Sequence, residues 1–190
     1  MVTIERTTKE TSIALTLALQ GSGVATISTG IGFFDHMLES FAKHALIDLT
    51  VACQGDLHVD GHHTVEDVGI VLGQALYKAI YPVQGMERFG NSVVVMDEAA
   101  TSCDIDLSGR EFLICAVPVS GMVGDFDCEL VEEFFRAVVY NAKITVHLIT
   151  QRGHNKHHII ESAFKAFAVA LRRATAENLR IGVPSTKGVI

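Results

Sequence analysis

His62-His63-Thr64-Val65-Glu66-Asp67, and its later echo His157-His158-Ile159-Ile160-Glu161, decide how the chain is read. If each stretch opens a helix, His62 shares a face with Glu66 and His157 with Glu161, because residues four apart stack on one side. The neighbouring His63 and His158 then point about 100° away, toward a second site. Each HHxxE motif is therefore built to feed two metal centres. Imidazole with carboxylate suits a borderline or hard divalent ion such as Mn, Fe or Zn, and the absence of cysteine from both motifs argues against a thiolate site.

The surroundings of the two motifs match as well. Glu66 leads into Val68 to Leu76 and Glu161 into Ala163 to Leu171, both apolar at helical spacing. Leu49-Thr50-Val51 and Ile144-Thr145-Val146 precede them as short β-branched runs that read as strands. The motifs lie ninety-five positions apart in 190 residues, half the chain. This predicts one α+β unit built of two pseudo-repeats, about 1–91 and 92–190, each a helix, strand, loop and HHxxE helix. Further upstream, Phe33-Phe34-Asp35-His36-Met37-Leu38 corresponds to Leu130-Val131-Glu132-Glu133-Phe134-Phe135, which makes Glu133 the stand-in for His36.

Composition bounds the function. A chain of 190 residues is long enough to bury a sizeable core. Its 48% hydrophobic content and mean hydropathy of +0.32 point to apolar surface shared between subunits. No apolar run is long enough to span a bilayer, and Met1-Val2-Thr3-Ile4-Glu5-Arg6 lacks the features of a signal peptide, so a cytoplasmic location is expected. A net charge of −7 argues against nucleic-acid binding, which draws its affinity mainly from phosphate neutralisation. The four cysteines show no CxxC spacing and are expected to be reduced thiols.

Along the chain, residues 2 to 19 alternate as strands broken at Thr7-Thr8-Lys9-Glu10-Thr11, and Val24 to Ser28 is predicted to return as the partner strand after the Gly21-Ser22-Gly23 turn. Glu10 lies in the polar break, where a solvated carboxylate is the bland reading. Gly30-Ile31-Gly32 makes a flexible approach to a helix that Asp35 is expected to cap. Arg110 is predicted to sit at a hairpin turn between Asp104–Leu107 and Phe112–Val117. Turn arginines are usually solvated, but a guanidinium matches phosphate bidentately, so Arg88, Arg110 and Lys187 form a candidate phosphate clamp. Lys165, four positions after Glu161, reads first as a helical salt bridge. The tail Pro184-Ser185-Thr186-Lys187-Gly188 offers further donors to an anion, or else is floppy.

These residues resemble one family: imidazoleglycerol-phosphate dehydratase of histidine biosynthesis. The matching pieces are Arg6-x-Thr8-Lys9-Glu10-Thr11, Gly32-Phe33-x-Asp35-His36-Met37-Leu38, Gly61-His62-His63-x-x-Glu66-Asp67, Asp106-x-Ser108-Gly109-Arg110, His157-His158-x-x-Glu161 with Phe164-Lys165-Ala166, and Pro184-Ser185-Thr186-Lys187-Gly188. The last usually reads Pro-Ser-Ser-Lys-Gly, and Thr186 keeps the hydroxyl. The resemblance implies internally duplicated βα sandwich halves of the ribosomal S5 domain 2-like kind, each a small mixed sheet with helices on one face. It implies two Mn(2+) ions per active site, one held by His36, His63, His157 and Glu161, the other by His62, Glu66, His158 and the residue at Glu133, often histidine in relatives. It implies a homo-oligomeric shell of twenty-four subunits with sites at subunit boundaries.

The implied reaction removes water from D-erythro-imidazole-glycerol phosphate to give imidazole-acetol phosphate, through a di-metal-bound imidazolate that helps expel the hydroxyl. Glu10 is the nominated base. Arg88, Arg110, Lys165, Ser185, Thr186 and Lys187 would hold the phosphate. Two rivals stand beside this reading. A non-catalytic metal-binding shell would need neither Glu10 nor the cationic set, and a dinuclear hydrolase would need bridging aspartates, for which the sequence offers no evident candidates.

Overall fold

The computed structural model describes residues 1–190. The first half runs β1 (Val2–Thr7), β2 (Thr11–Ala18), β3 (Ala25–Ser28), α1 (Gly32–Ala45), β4 (Asp48–Gly55) and α2 (His62–Ile80). The second runs β5 (Phe89–Met96), β6 (Ala99–Asp106), β7 (Phe112–Ala116), a short ribbon of β8 (Met122–Val123) and β9 (Phe126–Asp127), α3 (Leu130–Ala142), β10 (Thr145–Arg152) and α4 (Lys156–Ala174). The two four-stranded sheets have the orders β1-β2-β4-β3 and β5-β6-β10-β7. Each carries two antiparallel neighbours and one parallel pair, β3 with β4 and β7 with β10. The fold is α+β, as expected.

Strand alternation decides which face is covered. In β2, Thr11, Ile13, Leu15 and Leu17 are buried while Ser12 and Ala14 are exposed, the period of a sheet packed on one side only. Helices cover that side in both halves and meet each other in the middle, α2 against α3 and α1 against α4. The layers are therefore sheet, helices, helices, sheet. One continuous apolar core results, in which the Phe134 ring lies 5.3 Å from Phe34 of the first half and 5.1 Å from Phe164 of the second. Gly69 and Gly73, which interrupt the apolar run of α2, lie where α3 comes closest. A Cβ at Gly73 would lie 2.5 Å from the Val138 carbonyl oxygen, and one at Gly69 2.8 Å from the Ala137 methyl.

The halves match in register. Both α1 and α3 end in a left-handed residue, Leu46 and Lys143, each with φ of 55°. Counting back from those caps pairs Met37-Leu38 with Phe134-Phe135, all buried, and so pairs His36 with Glu133.

Several local expectations are corrected. Val24–Ser28 does not pair with the strand before it, because β4 inserts between β2 and β3. Likewise β6 and β7 are no hairpin, since β10 lies between them and Ser108 to Arg110 begins a connection across it. Asp35 does not cap α1; it lies inside the first turn and accepts hydrogen bonds from the Thr29 backbone N–H and hydroxyl. No helix is long and apolar enough to cross a membrane. All four cysteines are free, and burial pushes the Cys53 and Cys115 thiols up to about 11, which suits inert structural thiols.

Candidate active site

Both HHxxE motifs open helices, and within each the first histidine and the glutamate share a face. His157 Nε2 lies 3.0 Å from Glu161 Oε2, and His62 Nε2 lies 4.0 Å from Glu66 Oε2. The neighbouring rings are nearly perpendicular, at 79° and 85°, so His158 and His63 face elsewhere. Asn155 caps α4 by accepting the backbone N–H groups of His157 and His158, which fixes the start of the second motif.

His36 from α1 completes a trio with His157 and Glu161, whose ligand atoms all lie within 4.8 Å of one another. Glu161 is buried, with its side chain 8% exposed, between those rings and Lys165 Nζ at 2.7 Å. Burial pushes its carboxyl upward, but Lys165 and His157 outweigh that and hold it below the usual carboxylate range. Two imidazole nitrogens and an ionised oxygen in one cluster are a donor set that fits a divalent cation such as manganese or zinc. Lys165 is engaged here and does not line the anion cavity described below.

The second histidine of each motif is held by a carboxylate. His63 Nδ1 lies 3.0 Å from Asp56, and its Nε2 lies 3.8 Å from Glu10. His158 Nδ1 lies 2.7 Å from Glu98, and its Nε2 lies 3.8 Å from Asp97. The hydrogen bond to Asp56 raises the pKa of His63, and that to Glu98 raises His158. Glu98 falls to about 2, first because His158 donates to it and then because the Asn155 and His154 backbone N–H groups do. Neither His63 nor His158 belongs to the three-residue cluster, so one chain does not by itself gather the ligand sets implied by the resemblance. Asp56 and Glu98 were not singled out from the sequence. Glu98 directly precedes β6 as Glu10 directly precedes β2, and this hairpin equivalence was the available signal.

His62 lines a cavity of about 580 Å³ together with Gly30, Ile31 and Glu133. Five carboxylates (Asp60, Asp125, Asp127, Glu129 and Glu133) surround it, an electrostatic setting that favours a cation. Glu133 is partly engaged by Arg136 at 3.9 Å.

A separate cavity of about 250 Å³ brings together Arg88, Arg110, Ser185, Thr186 and Lys187, with Ser108. The tail that supplies three of them is tied down, not floppy: Arg88 donates to the Pro184 carbonyl at 2.7 Å, and Gly85 N–H donates to Gly182 at 2.7 Å. Arg88 also forms a two-pronged pair with Asp106, at 2.7 and 3.2 Å, which leaves Arg110 and Lys187 as the freer cations. On the Arg110 side, Tyr81 Oη accepts from Gly109 N–H at 3.0 Å and donates to the Lys143 carbonyl at 2.7 Å.

Comparison with known proteins accords with this arrangement. The family model described as imidazoleglycerol-phosphate dehydratase matches residues 29–171. The chain is 64% identical to the imidazoleglycerol-phosphate dehydratase of a Sulfurovum species and 64% identical to that of Aliarcobacter butzleri, in both cases over all 190 residues and the whole of the relative. The crystal structure of imidazoleglycerol-phosphate dehydratase from Staphylococcus aureus superposes with a TM-score of 0.82 at 40% identity, covering 93% of this chain and 98% of that one. A ligand complex of IGPD from Pyrococcus furiosus gives 0.83 at 36% identity, covering 98% and 100%. A family model spanning most of the chain, and full-length relatives at this identity, place the protein: it belongs to the imidazoleglycerol-phosphate dehydratase family, and so among the hydro-lyases.

Proposed function

We propose that the chain dehydrates D-erythro-imidazole-glycerol phosphate to imidazole-acetol phosphate in histidine biosynthesis, using divalent manganese at the HHxxE corners. The observation that carries the reading is the cluster of His36, His157 and Glu161. A carboxylate braced by Lys165 keeps that trio assembled as a ready-made set of donors.

His36, His63, His157 and Glu161 are proposed for one ion, and His62, Glu66, Glu133 and His158 for the other. The match of His36 with Glu133 across the halves, and the cavity shared by His62 and Glu133, support the second set. His63 and His158 lie outside the single-chain cluster, which favours ligand sets completed by a neighbouring copy in a homo-oligomeric shell. Cations bound there would supply Lewis acidity toward the ring nitrogens of the substrate.

The remaining steps fall to the side chains. Arg110 and Lys187, with the Ser185 and Thr186 hydroxyls and Arg88, hold the phosphate and so fix the reacting carbons. Glu10, half-exposed on the loop between β1 and β2, takes the C–H proton from the carbon next to the ring-attached one, while the hydroxide expelled from the ring-attached carbon takes up a proton and leaves as water, giving an enol. Ketonisation of the resulting enol completes the reaction.

The test is incubation of the Mn-loaded protein with imidazole-glycerol phosphate, following the ketone product. Arg110→Ala should retain metal content and lose turnover. A wild-type protein that binds manganese yet forms no ketone would instead be a metal-binding shell.

A further inference from the structure

The second histidine of each motif meets a carboxylate on Nδ1. In the first half Asp56, on the loop after β4, lies 3.0 Å from His63 Nδ1. In the second half Glu98, in the turn between β5 and β6, lies 2.7 Å from His158 Nδ1. The two carboxylates come from non-equivalent places, since Glu98 corresponds to Glu10 and not to Asp56. Each half has nonetheless arrived at the same pairing.

From this geometry we infer that Asp56 and Glu98 are positioning residues that fix the Nδ1–H form and ring orientation of His63 and His158, presenting Nε2 of each as a metal ligand. The inference rests on the metal-dependent reading above. An imidazole donates through one nitrogen and ligates through the other, so a carboxylate on Nδ1 settles which nitrogen is free and makes it more basic. It also holds the ring against rotation before metal arrives. Asp56 is the cleaner case, because its side chain bonds to His63 alone and its backbone N–H donates to the Glu10 carbonyl at 3.1 Å. Glu98 additionally accepts from the His154 and Asn155 backbone, and thereby holds the loop that caps α4.

Manganese chloride titrated calorimetrically into the metal-free full-length protein tests this, with Asp56→Ala, Asp56→Asn, Glu98→Ala and Glu98→Gln compared with wild type. The alanine variants should bind manganese about 10- to 100-fold more weakly. The amides, whose carbonyl oxygen still accepts from Nδ1–H, should recover part of the loss, and the metal-free melting curve of Asp56→Ala should match wild type. Alanine variants that keep wild-type affinity within about twofold would overturn the inference while leaving the metal reading intact. Equally, a loss for Asp56→Ala that tracks a lowered melting temperature, without recovery in the amide, would make the role structural. A wild-type protein that takes up no manganese would overturn both.

Discussion

Replacing Asp67 by alanine should destabilise the protein by about 3 kcal/mol and detach the Glu10 loop from α2. Asp67, one position after Glu66 on α2, is buried with its side chain 8% exposed. It forms an ion pair with the Arg6 guanidinium of β1 and accepts from the buried Thr11 hydroxyl at the start of β2. Breaking a buried ion pair by deleting one partner costs about 3–5 kcal/mol, because the other charge is left without compensation. Arg6 is 31% exposed, so water recovers part of that and the low end applies. The Thr11 hydroxyl keeps the Thr8 hydroxyl as a partner at 3.4 Å and so adds little. For a chain of this size about 3 kcal/mol lowers the melting temperature by roughly 6–12 °C. Thermal unfolding of the metal-free protein measures it, and Asp67→Asn, which keeps an acceptor, should fall between. Because Thr11 follows Glu10 directly, turnover should drop further than stability alone explains. A shift under about 3 °C, or an Arg6→Ala, Asp67→Ala cycle additive within about 0.5 kcal/mol, would refute the reasoning.

Tyr81 makes a pH prediction: burial pushes its phenol from 10.0 up to about 12, so the folded protein keeps a proton that the unfolded chain releases first. Its contribution is therefore full below pH 10 and is lost as pH rises from there through about 12, and phenolate absorbance should lack one tyrosine at the lower end of that window and gain it at the upper. Tyr81→Phe should abolish that late step, cost about 1 kcal/mol because water replaces the phenol on the exposed Gly109 N–H, and weaken phosphate binding through the adjoining Arg110. Gly90→Ala places a Cβ 2.0 Å from the Ala170 carbonyl oxygen and 2.6 Å from Ala174 N, backbone on backbone, so it should exceed the roughly 1–3 kcal/mol of ordinary overpacking and leave little folded protein.

How much of this was legible in the sequence depends on range. Helix starts and shared faces were readable because they obey a period: His62 with Glu66 and His157 with Glu161 follow from residues four apart. The duplication was readable because the motifs recur at half the chain length. Sheet order was not. Both errors of pairing, β3 beside β2 and β7 beside β6, assumed that strands joined by a short connection are neighbours. In each half the strand that follows the helix, β4 or β10, inserts between them, and no local pattern announces an insertion whose partner lies 20 to 40 positions downstream.

The same limit explains what was missed around the proposed metal ligands. Histidines announce themselves by type and spacing, whereas the carboxylates that orient them are ordinary acidic loop residues until the fold brings them in. Asp56 lies seven positions before His63 and Glu98 sixty before His158, so neither shares a helical face with its ring. Lys165 shows the opposite case. Its spacing from Glu161 predicted the local salt bridge and the resemblance assigned it to phosphate; in the single chain the salt bridge holds, at 2.7 Å. The two roles exclude each other only while Glu161 lacks a competing cation. A divalent ion on Glu161 would supply the compensation that Lys165 now gives, releasing an ammonium group for an incoming anion. Metal occupancy and phosphate binding would then be coupled through one lysine, and Lys165→Met should weaken the dependence of phosphate affinity on manganese more than it weakens manganese binding itself.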